Sequence, residues 1–413
     1  MLRVAITTLG CKVNRADADA LMSLLSGFAV EVPFSAEADL YIVNSCTVTS
    51  TADRQSRQLL NRARRREPAG KVVLTGCMAS KGGAALEVDG VFPHMRHVDL
   101  VQFAQLLDRD ASGPDAKIQH APDQRSRPFL KIQDGCDSSC TYCVVSKVRG
   151  PSRSVPPDEI TRGLQVLARR GFQEVVITGI HLGQYGQDLE PPTSLAGIVA
   201  QILGIVPRLR ISSVEPMEVD DSLARMLCES KHVCSHLHVP IQSGDDVVLR
   251  AMNRPYTGEQ VRELLHSMRR RSTHLALGAD LMTGFPGETE AQAEATLRLV
   301  RQTPLTHLHV FPYSRRPGTE AADMPGQVPG PEARARAARL RDAGAMKLAE
   351  FASSQVGQVR PALVERAEDG ELRALTDNYL RVSLRGPKAL VGSLVVVKLE
   401  SSEGPALRGR LEG

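Results

Sequence analysis

No apolar run in the chain approaches the ~20 residues that a helix needs to cross a hydrocarbon layer, so no membrane-spanning helix is expected. A dominant charge is missing too. The 51 Lys and Arg against 47 Asp and Glu leave a net +4, which allows a nucleic-acid partner without pointing to one, because basic stripes matter more than totals. The first residues end on Leu9-Gly-Cys11 in the manner of a lipoprotein leader, yet they lack a charged segment followed by about 7–15 apolar residues, and no leader is expected. Cysteine is scarce, with eight in 413 residues. In a large chain without a leader, such a set suits a reducing cytoplasm, where metal binding or catalysis is the more usual use of thiols than disulfides. The remaining composition, 42% hydrophobic and 24% charged, is that of a globular protein with room for two or three domains. The expectation is a soluble, cytoplasmic monomer.

Three of the cysteines stand together in Cys136-Asp-Ser-Ser-Cys140-Thr-Tyr-Cys143, just after the apolar run Phe129–Gln133. Thiolates so close in sequence can all reach one iron–sulfur cube, and three ligands leave one iron open to an exogenous ligand. The competing reading is structural zinc. Zinc sites usually combine two Cys-x2-Cys pairs or add His, and no fourth ligand with that spacing lies nearby.

Upstream, short apolar strands alternate with helices: Leu2–Ile6, a helix over 14–25, Ala38–Val43, a helix over 51–66, and Lys71–Thr75. Cys11, Cys46 and Cys77 each follow one of these strands. In an open parallel sheet the loops at the carboxyl ends of strands converge into binding sites. A second three-thiolate site is therefore expected, against the alternative of three unrelated buried thiols, since free cysteine packs like a small hydrophobe. The helix after Cys46 carries Arg54, Arg57, Arg62, Arg64, Arg65 and Arg66, either a solvated face or a phosphate-contacting one. A linker is expected over 112–127, rich in Gly, Pro and polar residues.

From Phe129 to about Ser314 six strand candidates alternate with helices: Phe129–Gln133, Glu174–Thr178, Leu209–Ser213, His236–Ile241, Leu275–Met282 and His307–Phe311. Such a run predicts a parallel barrel or part of one, with its site at the carboxyl ends of the strands. Several motifs here carry less than they first promise. Gly179-x3-Gly183-x2-Gly186 has the wrong spacing for a dinucleotide loop and no acidic partner. The loop Gly284-Phe-Pro-Gly-Glu-Thr289 lacks the Lys-Ser/Thr of a phosphate loop. His307 and His309 share a strand face and read as packed or substrate-facing residues rather than a metal site. Cys228 and Cys234 read as ordinary thiols.

A helix over 332–350 leads to a change of pattern. Val359–Val364, Ala374–Thr376, Leu380–Leu384 and Leu394–Leu399, separated by Glu368-Asp-Gly370 and Arg385-Gly-Pro387 turns, predict a small closed barrel of four or five strands similar to oligonucleotide-binding barrels. Residues 356–413 hold nine Lys/Arg and eight Asp/Glu, so charge does not mark this module as an RNA binder.

The octet, with Tyr142 before its last cysteine, resembles the signature of radical S-adenosylmethionine (SAM) enzymes. In that superfamily the open iron binds SAM, whose reductive cleavage gives a 5′-deoxyadenosyl radical. The segments Thr8-Leu-Gly-Cys-Lys-Val-Asn14, Asn44-Ser-Cys-Thr-Val-Thr49, Thr75-Gly-Cys77, Arg149-Gly-Pro-Ser-Arg-Ser154, Thr178-Gly-Ile-His-Leu-Gly183, Ser212-Ser-Val-Glu-Pro216, Gln242-Ser-Gly244, Gly284-Phe-Pro-Gly-Glu-Thr289 and Phe311-Pro-Tyr-Ser314 narrow this to the methylthiotransferases, in order along nearly the whole chain. The chain departs from that pattern at Ser146-Lys147, where the family commonly has Pro, and over 90–97.

The resemblance implies two 4Fe–4S clusters, one on Cys136, Cys140 and Cys143 and an auxiliary one on Cys11, Cys46 and Cys77, with SAM as the other cofactor. It places Tyr142 by the adenine, Thr178 and Gly179 opposite the methionyl amine, and Glu215 at a polar SAM contact. No catalytic residue beyond the cluster ligands is implied. It divides the chain into residues 1–111 for the auxiliary cluster, 122–352 for a radical SAM core built as a partial, TIM-like (β/α) barrel, and 354–413 for an OB-like TRAM module that binds RNA. The implied reaction replaces the C2 hydrogen of a modified adenosine beside the tRNA anticodon with a methylthio group, one SAM giving the methyl and another the radical. An external electron donor is required, and the sulfur donor is not specified. Gly10-Cys-Lys-Val-Asn14 and Arg149-Gly-Pro-Ser-Arg-Ser154 look like the subgroup acting on N6-threonylcarbamoyladenosine. Isopentenyladenosine in tRNA and an aspartate of a ribosomal protein are the alternative substrates. A non-enzymatic two-cluster electron carrier is the alternative from another class, although it would need neither a β/α barrel nor a terminal module.

Overall fold

A computed structural model of the chain describes residues 1–25, 29–81, 86–93 and 126–412. The expected linker lies outside these residues except for its last two positions, and so does the end of the 90–97 segment. The chain forms two compact units: Met1–Gln124 with Asp134–Ser152 and Ser314–Ala322, and Arg125–Gln133 with Arg153–Tyr313 and Asp323–Gly413.

In the first unit five parallel strands lie in the order Ala29–Glu31, Leu2–Thr8, Leu40–Ser45, Lys71–Gly76 and Gly90–Phe92. Leu40–Ser45 is buried along its whole length, as a central strand covered on both faces must be. The two edge strands have three residues each and leave too short a periodic signal to anticipate. The helix Ser50–Arg66 starts on Thr49, whose hydroxyl accepts from the Ala52 amide at 3.1 Å. It buries only Ser56, Leu60 and Ala63, a stripe at helical spacing.

The second unit holds six parallel strands in two sets of three. Phe129–Lys131, Glu174–Thr178 and Arg208–Ile211 form one; His236–Gln242, Ala276–Thr283 and His307–Pro312 form the other. A parallel bridge between Leu209 and Val233 links the sets. Neighbours in space are neighbours in sequence, as in an incomplete (β/α) barrel. Two of the intervening helices begin with capping boxes, Thr257 with Gln260 and Thr289 with Gln292. The helix Gly330–Ser354 runs against the last strand, where Gly344 lets Leu308 approach within 3.0 Å of where a Cβ would stand. Its end delivers Phe351 and Ala352 into the core of a closed five-stranded barrel, Val359–Glu368, Glu371–Thr376, Arg381–Arg385, Ala406–Leu411 and Leu394–Glu403 in spatial order. The expected turn at Glu368-Asp-Gly370 is present, with Asp369 and Gly370 both at positive φ, as a tight hairpin needs.

A buried ionic cluster joins this barrel to the first strand set. Glu174, Arg208 and Arg210 are 0%, 2% and 2% exposed. Glu174 accepts from Arg208 Nε at 2.6 Å and Arg210 Nε at 2.7 Å. The outer guanidinium nitrogens donate to the carbonyls of Pro361, Leu375, Thr376 and Asp377 at 3.1–3.2 Å. Burial alone would raise the Glu174 pKa, but Arg210 and then Arg208 hold it down to about 2. Because the folded value lies below the ordinary one, the stabilisation is complete above the usual carboxylate range and is lost as pH falls toward 2. Removing the charge with Glu174→Gln leaves two buried guanidinium groups uncompensated, a loss of about 3–5 kcal/mol. Urea midpoints of the two proteins should therefore differ strongly at about pH 6 and draw together only as pH falls toward 2.

Candidate metal centre and active site

Both cysteine triads fall in the first unit. Cys11 follows the strand Leu2–Thr8 and is exposed, whereas Cys46 and Cys77, at the ends of the next two strands, are buried. The three strand ends are tied together by short polar side chains. Asn14 donates to the carbonyls of Leu9 at 2.9 Å and Ser45 at 2.7 Å. Asn44 donates to the carbonyl of Asn14 at 2.5 Å, and Ser45 Oγ to that of Thr75 at 2.5 Å. Gly10, at φ +92, has room only for hydrogen, because a Cβ there would stand 2.8 Å from Cys46 Sγ.

The octet forms a loop closed by the Cys136 amide donating to Gly150 O at 3.1 Å. Gly135 is held at φ +75 with Pro151 O 1.9 Å from where its Cβ would be, so no other residue fits. Backbone amides point at sulfur in both triads: Ser138 N–H at Cys136 Sγ, Val145 N–H at Cys143 Sγ, and Val48 N–H at Cys46 Sγ, at 3.4–3.5 Å. Such bonds stabilise negative sulfur and tune iron–sulfur centres. Burial pushes the Cys77 thiol up to about 12 and the Cys143 thiol to about 11, so these thiols need a bound cation to ionise at neutral pH. Among the described residues, neither triad brings its three sulfurs within 4.8 Å of one another, as ligands of a single ion would stand. Thiolates that each take a different iron of a cube stand farther apart. A donor set made of thiolates alone suits an iron–sulfur cluster.

The short helix Val145–Arg149, which follows the octet, packs Val144 and Val148 on Cys77. Its last residue, Arg149, is 1% exposed and donates to Asp17 and Asp134 at 3.0 Å and to Asn14 Oδ1. Burial opposes its charge, but Asp17, Cys77 and Asp134 raise its pKa. A second buried arginine, Arg316, donates to Thr47 Oγ1 at 2.8 Å and to Asp53, bracing the loop that carries Cys46. No sequence pattern marks either arginine for this role, although Arg149 opens the segment Arg149–Ser154 and Arg316 stands two residues after Phe311–Ser314. Lys147, one of the departures from the family pattern, donates to Gly318 O. Of the arginines on the helix Ser50–Arg66, Arg64 and Arg66 turn inward, to Asp89 and Phe34 O, while Arg54, Arg57, Arg62 and Arg65 are exposed.

Tyr142 lies in the first unit beside the octet cysteines; Thr178, Gly179 and Glu215 belong to the second. Thr178 is 1% exposed at the carboxyl end of its strand and accepts from the Ile132 amide at 2.9 Å. A Cβ on Gly179 would stand 2.9 Å from Gln133 Oε1, which accepts from the His181 amide at 2.8 Å. Glu215, beyond the next strand, pairs with Arg254, whose Nε donates to Tyr256 Oη at 2.7 Å. His181 meets Glu218 at 2.7 Å. These groups form a polar rim at the carboxyl ends of the strands, where this architecture builds its sites. Cys234 is fully buried with its thiol pushed up to about 12, and Cys228 is half-buried. No described helix is long and apolar enough to cross a membrane.

Comparison with known proteins identifies two segments of the chain. Residues 130–300 match the radical SAM superfamily, and residues 3–96 match the uncharacterized protein family UPF0004. The threonylcarbamoyladenosine tRNA methylthiotransferase MtaB of Bacillus subtilis (strain 168) is 35% identical, covering 99% of this chain and 96% of its own length. A tRNA-2-methylthio-N(6)-dimethylallyladenosine synthase of Syntrophobacter fumaroxidans is 31% identical over 98% of this chain and 95% of its own. Among solved structures, the radical SAM methyltransferase TsrM from Kitasatospora setae, with cobalamin and a 4Fe–4S cluster bound, superposes with a TM-score of 0.55 over 90% of this chain and 77% of its own; at 15% identity that is a likeness of fold. With near-complete coverage at 35% identity and the radical SAM match over the central strands, the chain belongs to the radical SAM methylthiotransferases, enzymes that use a 4Fe–4S cluster and SAM.

Proposed function

We propose that the protein is a tRNA methylthiotransferase that converts N6-threonylcarbamoyladenosine beside the anticodon to its 2-methylthio derivative. The observation that carries the reading is the joining of the two cysteine triads in one compact unit, with Cys77 packed with Val144, which caps the helix after Cys143, and Val148 within that helix. Cys136, Cys140 and Cys143 would hold the SAM cluster; Cys11, Cys46 and Cys77 would hold a second, auxiliary cluster. When bound, the clusters and SAM supply the hydrogen-abstracting radical and the methylated sulfur, chemistry that no side chain can perform on an aromatic C–H. The chain itself orients and encloses. Tyr142, Thr178, Gly179 and Glu215 would position SAM, with Arg254 holding the Glu215 carboxylate in place. Arg149 would offset the negative charge of the thiolates nearest to it.

The exposed arginines 54, 57, 62 and 65 and the terminal barrel, read as a TRAM-like module over 354–413, would bind the tRNA. An anticodon loop suits such recognition because its bases are unstacked and accessible. Residues 1–111 and 122–352 would be the auxiliary-cluster and radical SAM domains. An external reductant is needed, and the setting of the substrate is the cytoplasm. The threonylcarbamoyl substrate is favoured over dimethylallyladenosine because the relative named for it is 35% identical, against 31% for the other.

Iron analysis of anaerobically reconstituted protein should give about eight irons per chain, and about four after replacing either triad by alanine. Four irons in the unaltered chain would overturn the two-cluster assignment. The reduced protein should release 5′-deoxyadenosine from SAM, and Cys140→Ala should abolish this while leaving the iron held by the other triad. Nucleoside analysis of tRNA from a deletion strain should show 2-methylthio-N6-threonylcarbamoyladenosine replaced by its unmethylthiolated precursor. Loss of the methylthio group from isopentenyladenosine instead would move the substrate, not the reaction.

A further inference from the structure

We propose that the second unit carries a transition-metal site, zinc being the ion it fits, held by His236, His238 and His307. It is separate from both cysteine triads and does not depend on the tRNA reading. The register of three neighbouring strands builds it. His238 pairs with Gly278, and Gly278 pairs with His307, so the two imidazoles flank the glycine on one face of the sheet. His236, two residues before His238, shares that face.

The ligand nitrogens of the three histidines all lie within 4.8 Å of one another, the one group of potential metal ligands among the described residues to do so. His236 Nε2 and His307 Nε2 are 3.3 Å apart. Two nitrogens bound to one tetrahedral zinc at about 2.0–2.1 Å stand about 3.3 Å from each other. Gly278 keeps the space between the rings open. A Cβ there would be 2.2 Å from His307 Nε2 and 2.6 Å from His238 Nδ1, and its backbone angle is not one that demands glycine, so the imidazoles are what alanine would meet.

Partners on the outer nitrogens aim the inner ones. Asp280 Oδ1 lies 3.1 Å from His238 Nε2, which turns Nδ1 toward Gly278. Thr306 Oγ1 lies 3.0 Å from His307 Nδ1, which turns Nε2 the same way. A carboxylate or hydroxyl behind a ligating imidazole is the usual support of a metal site, because it fixes tautomer and orientation. Tyr379, at φ +66 in a turn of the terminal barrel, stacks on His236 and His307 with centroids at 4.5 and 5.3 Å and covers the rings from that side. The nearby cation, Arg210, is paired with Glu174 and does not oppose a metal. Three imidazole nitrogens suit zinc, with the fourth position left to water.

The test is elemental analysis of the full-length protein, produced with added zinc and iron and dialysed against a chelator. The unaltered chain should retain about one zinc per chain beside its iron. His238→Phe and His307→Phe should lose it at least tenfold with iron unchanged, and so should Gly278→Ala, which keeps every imidazole. No retained zinc in the unaltered chain, or equal zinc in the variants, would overturn the site. Should the variants fail to fold, zinc-edge X-ray absorption of the unaltered protein still decides. A shell of nitrogen or oxygen alone supports the site; sulfur at about 2.3 Å places the zinc on the cysteines and overturns it.

Discussion

The guanidinium of Arg149 is the interaction on which the cysteine-bearing unit depends. A buried, unpaired arginine would cost several kcal/mol, and this one is compensated by Asp17 and Asp134. Those two carboxylates come from different parts of the chain, one from the helix after Cys11 and the other from just before the octet. Through Asn14 the network extends to Leu9 O and Ser45 O, the backbone that precedes Cys11 and Cys46. One side chain therefore fixes the loops of both triads relative to one another within the unit. Its charge also favours ionised Cys77, countering a burial that otherwise keeps that thiol protonated. Structure and electrostatics make the same demand here, a cation that cannot leave.

Local spacing made much of this legible in the sequence. The octet is contiguous, and a strand that ends in cysteine can be read three times without knowing which strands pair. The parallel order could likewise be expected from strand–helix alternation, because crossover connections leave few other solutions. What escaped was long-range pairing. Arg149 meets Asn14 across 135 residues, and no periodicity predicts such a partner. The histidines show the same limit more sharply. Alternation put His307 and His309 on one face, as the structure has it, and favoured a packed or substrate-facing role over metal binding. Register then separates them: His307 joins His236 and His238 around Gly278, while His309 is exposed and pairs with Asp280 at 2.9 Å. A glycine in the middle of an apolar strand was the available sign of a close approach, but the strand opposite had to be known before it could be read.

The two polar clusters of the second unit address a difficulty of geometry rather than of stability. The terminal barrel has an apolar core of its own, and apolar contact alone would let it slide on the surface it covers, since hydrophobic attraction has little direction. Arg208 and Arg210 remove that freedom by donating to four named carbonyls of the barrel, while Glu174 fixes the planes of both guanidinium groups from below. Asn378 adds two bonds, to His274 O and Gln355 Oε1, each at 3.1 Å. The same turn presents Tyr379 to Arg210 at 5.2 Å and to the histidine rings. Buried ion pairs of this kind contribute little net stability compared with apolar packing, but they penalise every alternative register in which a charge is left unpaired. The barrel is thereby held in one orientation against the strands that carry the polar groups at their carboxyl ends.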